Sequence, residues 1–341
     1  MKTHKSFGLL ILGMTMFLSM RGQDPSFSQF FSSPLNINPA LTANINADWR
    51  FISNFRDQWV GPASPYSTGT VSFDRKIMQN KVYNVHEEKN ILGIGAMIMY
   101  DHAMDGIQQS TYASLNLSYN VKLSDGPTVH RIAAGFGGIY GKRTVDFSRL
   151  TWQEQWIGHA GFDVNLPTGE PALSQMKGYF SCSAGLKYSI TTEKTNVDLG
   201  VAGFHLNNPK QTFLEDPNQR LAMRKVAHAN FETFLNDQLV LNINGIYQFQ
   251  QEAKYYSFGG ALGYYVPQNE NLVLNGGLWY WSKNALIPYI GFGYKNFQFG
   301  FSYDIAISKL NAAAEKPKTF ELSIILRGIK EPSKIIPCPW K

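Results

Sequence analysis

Charge is scarce in this chain. Asp, Glu, Lys and Arg together make up 16% of its 341 residues, against roughly a quarter in an ordinary soluble domain. The formal net charge is +6. Lys2, Lys5 and Arg21 lie in or beside an N-terminal leader, so 6 − 3 leaves +3 for the rest. With no dense Lys/Arg stripe either, nothing proposes a nucleic-acid partner. Cysteine is nearly absent, with Cys182 and Cys338 the two present. They are compatible with one disulfide in an oxidising compartment and equally with two unpaired thiols. Neither follows the leader as an acylated lipoprotein cysteine would, and no Cys/His cluster has zinc spacing. Long apolar runs are missing too. After the leader the nearest is Ile91–Tyr100, closed by Asn90 and Asp101. A membrane-spanning helix needs about 20 apolar residues, and the glycines of this run count against a helix of any kind.

Aromatics and glycine, by contrast, are plentiful: 17 Tyr, 23 Phe, 7 Trp and 30 Gly. Mean hydropathy is nevertheless −0.22. Few charges, many aromatics and middling hydropathy are expected when strands alternate a lipid face with a polar lumen face. The N-terminus reads as an export signal, with a positive Met1–Lys5 region followed by apolar Phe7–Met20. Gly22 offers a small residue before a cut near Gln23, although Met20 is a poor third-from-last residue.

Beyond the leader, period-two patterning recurs over segments of about ten residues or more, the length a tilted transmembrane strand requires. Asn296–Lys309 sets Phe297, Phe299, Phe301, Tyr303, Ile305 and Ile307 against Gln298, Gly300, Ser302, Asp304, Ala306 and Ser308. In Gln109–Leu123, Leu115, Leu117, Tyr119 and Val121 oppose Ser114, Asn116, Ser118 and Asn120. Leu239–Gln250 and Phe320–Arg327 repeat the device. About fourteen segments emerge: 46–59, 66–76, 90–103, 107–123, 128–147, 177–191, 195–207, 222–236, 238–250, 253–266, 270–283, 285–295, 296–309 and 317–328. An even number is usual for bacterial single-chain barrels. Longer excursions fall at Ser148–Met176, Asn208–Leu221 and Gln79–Lys89. The fold expected is all-β, a transmembrane antiparallel β-barrel of about fourteen strands. A soluble β-sandwich with a polar solvent face is the rival, and periodicity alone does not separate the two.

Chemistry is hard to find. Candidate histidines are His102, His130, His159, His205 and His228, yet no nucleophile-elbow motif surrounds a serine. His86-Glu87-Glu88 reads as a solvated loop. Asp24, Asp101, Asp105 and Asp146 form no calcium-loop repeat, and no glycine-rich phosphate cradle opens a helix. The expectation is a protein that is not an enzyme and holds no cofactor or metal. Gln23–Asn46 stands apart: Pro25, Pro34 and Pro39 forbid a continuous ladder or helix. Phe27, Phe30, Phe31, Leu35 and Ile37 still make it apolar enough to dock, in the barrel mouth or across the periplasmic rim, rather than dangle as a disordered terminus.

Gln23-Asp24-Pro25, Phe27-Ser28-Gln29, Asn38-Pro39-Ala40 and Asn54-Phe55-Arg56-Asp57-Gln58-Trp59 closely resemble the opening of the PorP/SprF family. Pro65-Tyr66, His205-Leu206-Asn207-Asn208-Pro209, and Tyr303-Asp304-Ile305 with Ser308-Lys309-Leu310 extend the likeness through most of the mature chain. Leu41 and Thr319-Phe320-Glu321-Leu322 depart from the family pattern. The resemblance implies an integral outer-membrane protein of Bacteroidetes tied to type IX secretion and gliding motility. Its partners would be other components of that machinery, outer-membrane lipid, and a secreted adhesin or other cargo bearing a type IX C-terminal signal domain. The division expected is 1–22 signal peptide, 23–45 periplasmic or plug-like segment, 46–328 barrel and 329–341 tail. Asn38, Pro39, Arg56, Trp59, His205, Asn207, Pro209, Tyr303 and Asp304 are the candidate partner-binding or family-motif residues. Arg56 would bridge carboxylates or carbonyls and Trp59 would anchor at the membrane interface; for each, a fold-stabilising contact is the plainer alternative. On the residues alone, a passive porin or small-solute transporter is the second functional class, and a rim lipid-modifying enzyme the third.

Overall fold

The computed structural model describes residues 24–61, 64–78, 89–169, 176–212, 219–267, 269, 271–308 and 316–328. The leader, the C-terminal tail, Cys338 and His86-Glu87-Glu88 lie outside the described residues. Fifteen strands form one antiparallel sheet. They are β1 (Trp49–Val60), β2 (Tyr66–Met78), β3 (Ile91–Ala103), β4 (Gln108–Lys122), β5 (Val129–Val145), β6 (Tyr179–Thr191), β7 (Thr195–Phe204), β8 (Arg224–Phe234), β9 (Leu239–Gln250), β10 (Ala253–Tyr265), β11 (Leu272–Trp281), β12 (Ala285–Tyr294), β13 (Phe297–Tyr303), β14 (Ile305–Ala306) and β15 (Lys318–Gly328). Sequential neighbours pair from β1 to β13, both β13 and β14 pair with β12, and β15 joins β13 to β1. The sheet therefore closes. β13 and β14 are two halves of one stave, which leaves fourteen staves, and each expected segment holds one of them. The composite stave breaks at Asp304, where the sequence predicts a strand over 296–309. The Asp304 side chain is drawn into the lumen while its N–H reaches Thr319 O at 2.9 Å.

Closure is what hydrocarbon demands, because an open sheet edge would leave backbone groups with neither water nor partner. The side chains show the matching inversion. On β4, Leu115 is 68% exposed while its neighbour Asn116 is 2% exposed. The buried set across the sheet is rich in Ser, Asn, Gln, Asp and Arg, and the exposed set in Leu, Ile, Phe and Tyr. A soluble sandwich would place them the other way round. Charged side chains that do point outward, among them Arg75, Lys142, Lys225 and Lys254, lie towards strand ends. Outward aromatics gather near both rims: Trp49, Phe73, Tyr119 and Tyr188 at one, Trp59, Tyr100, Tyr140 and Tyr256 at the other. Such girdles mark the two membrane interfaces. No helix among the described residues is long and apolar enough to cross a membrane.

The two rims differ. Connections at 146–178, 205–223 and 307–317 share the rim opposite the start of β1 and the end of β15. The rim that carries those chain ends has mostly tight turns, such as 192–194 and 295–296, with 79–90 its one long connection. Barrels of this kind keep short turns on the periplasmic side and long loops outside. The first is called the loop rim below, the second the terminal rim.

Candidate functional site in the lumen

The segment before β1 runs through the barrel rather than beside it. Asp24 N donates to Gln250 Oε1 at 3.1 Å, at the loop-rim end of β9. Asp48 N donates to Gly328 O at 2.9 Å, at the terminal rim. Between them the prolines set short helical turns instead of a strand. Pro34 begins the turn Pro34–Ile37, Pro39 begins Pro39–Leu41, and the Asn38 side chain caps the latter by accepting from Ala40 N at 2.8 Å. Phe27, Phe30, Leu35 and Ile37 are buried. Phe31 packs on Trp279 and Tyr289, with ring centroids 4.7 and 5.6 Å away.

Two buried ionic clusters hold the loop-rim end. In the first, Arg56 Nη2 lies 2.8 Å from Asp304 Oδ2, its Nε lies 3.8 Å from Glu321 Oε2, and the guanidinium sits over the Trp281 ring at 4.7 Å. The same groups take hold of the segment. Arg56 Nη1 donates to the Ser26 carbonyl, Ser28 Oγ to Asp304 Oδ2 at 2.7 Å, and Ser28 N and Gln29 N to the Glu321 carboxylate at 2.7 and 3.1 Å. Gln29 also binds Ser302 and Ser323. In the second, Asp24 Oδ2 lies 2.8 Å from His205 Nε2 and 3.0 Å from Arg224 Nε. Arg224 reaches on to Asn36 O at 3.0 Å. Burial pushes the Asp24 carboxyl upward, but the Arg224 and His205 charges and the bonds to His205 and Gln250 outweigh it and hold the group below the usual carboxylate range.

Ser181 Oγ lies 2.7 Å from His205 Nδ1, so a Ser, a His and an Asp stand in line. Ser181 is fully buried and Asp24 is shared with Arg224, so this line ties the segment to the wall. The arrangement is an anchor.

Further down, Asn38 Nδ2 donates to Leu186 O and Val201 O at 3.1 and 3.3 Å and lies 3.0 Å from His228 Nε2. The wall makes room there. A Cβ on Gly135 would lie 2.2 Å from Ala40 N and 2.3 Å from the Pro39 carbonyl carbon, and one on Gly185 would meet Asn38 Oδ1 at 2.0 Å. Nearer the terminal rim, Asp74 takes Arg50 in two hydrogen bonds, 3.0 and 2.8 Å, and accepts from Ala43 N at 2.7 Å. Lys187 Nζ reaches Asn44 Oδ1 at 2.6 Å. Beside the segment lie lumen cavities of about 70 and 20 Å³, lined by described residues.

Five of the nine candidate residues thus converge on the lumen: Asn38, Pro39, Arg56, His205 and Asp304. Asn207 and Pro209 do something different. β6 rises past the end of β7, and His205 turns the chain away with φ +57°. Leu206 N then donates to Cys182 O, while the Asn207 amide accepts from Cys182 N at 3.1 Å and donates to Phe180 O at 2.8 Å. The side chain stands in for the missing strand. Pro209 is buried and its carbonyl accepts from Leu221 N at 2.9 Å. Trp59 and Tyr303 point outward near the loop rim, away from the lumen. Sequence reading passed over Arg224, Arg50 and Asp74, and named Gln29 only within a family motif. Arg50, Asp74 and Arg224 carried one available signal, a charge on the inward phase of a strand.

A model of the type IX secretion system membrane protein PorP/SprF matches residues 19–326. The chain belongs to the PorP/SprF family. It is an integral outer-membrane β-barrel of the type IX secretion class, and that membership associates it with other components of the secretion system. No curated protein matches it. Among solved structures, this PorP/SprF barrel is similar to the CymD monoaromatic hydrocarbon channel at 11% identity and TM-score 0.45, covering 90% of this chain and 95% of that one. The Pseudomonas putida toluene transporter TodX matches at 9% and 0.44, over 86% and 93%, and a Pseudomonas aeruginosa FadL homologue at 10% and 0.44, over 85% and 92%. The closed sheet stands on its own strand pairing, independent of these.

Proposed function

We propose that this PorP/SprF barrel is a plugged, non-enzymatic scaffold that helps secrete, or holds at the cell surface, a large adhesin or other cargo with a type IX C-terminal signal domain. The observation that carries the reading is the occupied lumen. A segment threaded from rim to rim and latched by two buried ionic clusters fills the middle of the barrel, and the larger of two cavities beside it measures about 70 Å³. That volume holds a few waters and no secreted chain or nutrient. A closed barrel acts through its rims and its outer wall, and such a role needs rigidity rather than a reactive side chain. Membership of the family supplies the secretion context.

Two experiments test the proposal. Affinity isolation of the tagged barrel from its native host should recover a large secreted protein or other type IX components; their consistent absence would count against it. Reconstitution in planar bilayers separates the scaffold from the second reading, a passive porin, which the polar inner wall would suit. The scaffold gives no steady current.

A further inference from the structure

The outer wall of the barrel carries a depression of about 610 Å³ across β5 to β9. Strand register explains it. One outward row reads Phe136, Ala184, Gly203 and Lys225 across four neighbouring strands. The row below reads Ala134, Leu186, Val201, Ala227 and Tyr247. Ala184 and Ala227 leave the floor low between walls of Phe136, Leu186 and Tyr247, while Leu206 leans over Gly203. The lining is almost wholly apolar. At the loop-rim end stands Lys225, exposed, the second residue of β8 and without a carboxylate partner among the described residues.

We propose that this groove binds a phosphorylated glycolipid of the outer leaflet, one acyl chain lying along Ala184 and Ala227 and a phosphate held by Lys225. The charge decides the class and the leaflet. A lysine on a lipid-facing wall extends its ammonium to the nearest polar layer. For Lys225 that layer lies at the loop rim, which faces the outside, and an ammonium there complements an anionic headgroup. Apart from Lys225 and Tyr247 the trough is lined by apolar side chains, which suits an acyl chain better than a protein backbone. A zwitterionic lipid of the opposite leaflet would find neither the charge nor the right end of the groove. The site needs only the outer-membrane placement; the cargo role can fail without touching it.

Delipidated barrel, with its fold checked by heat-modifiable gel migration, is titrated in detergent and read by native mass spectrometry. The probes are a bisphosphorylated acylated glucosamine disaccharide, its dephosphorylated form and phosphatidylethanolamine. The phosphorylated probe should bind the wild type about fivefold more tightly than the dephosphorylated one, the worth of one cation at a membrane surface. Lys225→Glu should abolish that preference while leaving weak chain binding. The double variant Ala184→Leu/Ala227→Leu, which fills the trough from the lipid side, should weaken all binding. The proposal is overturned by equal binding of the two glycolipids, by preference for phosphatidylethanolamine, or by unchanged binding in both variants. A photo-crosslinker at Ala227 that captures a protein chain instead of lipid in native membranes would also overturn it.

Discussion

Replacing Arg56 by methionine keeps much of the side-chain volume and removes the charge that stands between Asp304 and Glu321. Both carboxylates are buried, at 5% and 0% exposure, and Arg56 itself is at 1%. Breaking such a pair leaves uncompensated buried charge and costs about 3–5 kcal/mol. The strand ladder around it is untouched, so the cost falls on the docking of residues 24–29, whose amides and hydroxyls bind the same carboxylates. At about 1.4 kcal/mol per factor of ten, the undocked fraction of the segment should rise by roughly a hundredfold to a few thousandfold. Purified Arg56→Met barrel in planar bilayers should show brief openings that the wild type lacks, and a protease added from the loop side should clip the segment faster. Neutralising all three groups, as Arg56→Met/Asp304→Asn/Glu321→Gln, should restore most of the closure, because neutral groups tolerate burial far better than orphaned charges. An Arg56→Met barrel as quiet and as protease-resistant as the wild type would refute the latch.

Three further outcomes follow. Gly135→Leu places a side chain where Pro39 and Ala40 backbone now runs, so the segment should be expelled while heat-modifiable gel migration still reports a folded barrel. Leu115→Arg puts a charge on the lipid face near mid-strand and should destabilise refolding into vesicles by about 2–4 kcal/mol, as read from urea titration, while Asn207→Ala at the rim should instead speed amide exchange at Cys182 without a large global loss. Because Asp24 is held below the usual carboxylate range, its contribution to docking is full above the unfolded value of about 3.9 and is lost as pH falls through the lower folded value. Protease protection of the segment should therefore be flat from neutral pH down to about 5 and decline below about 4, a decline that Asp24→Asn removes.

The barrel was legible because its code is local. Phe297, Phe299 and Phe301 against Gln298, Gly300 and Ser302 specify a stave and its two faces without reference to any other stave, and closure then follows from the need to pair every edge. The path of the N-terminal segment was only half legible. Its prolines ruled out regular structure and its phenylalanines demanded burial, yet docking in the mouth and docking across a rim satisfied both equally. What decides between them is long-range: Ser28 meeting Glu321, Asp24 meeting His205, and Gly135 leaving room for Pro39. No spacing within one strand encodes those encounters. The same limit explains Asn207, whose value as a surrogate strand partner depends on β6 outlasting β7.

The most direct measurement is disulfide formation between Ala43→Cys in the segment and Gly93→Cys in the wall, with Cys182 and Cys338 changed to serine. A Cβ at position 93 would lie 2.5 Å from the Ala43 Cβ, so a shift of about 1 Å reaches the spacing a disulfide requires. A lumen filled by residues 24–48 predicts near-complete cross-linking in native membranes under mild oxidation, seen as an altered unreduced gel mobility that dithiothreitol reverses. A folded barrel in which the two cysteines stay reduced would contradict it.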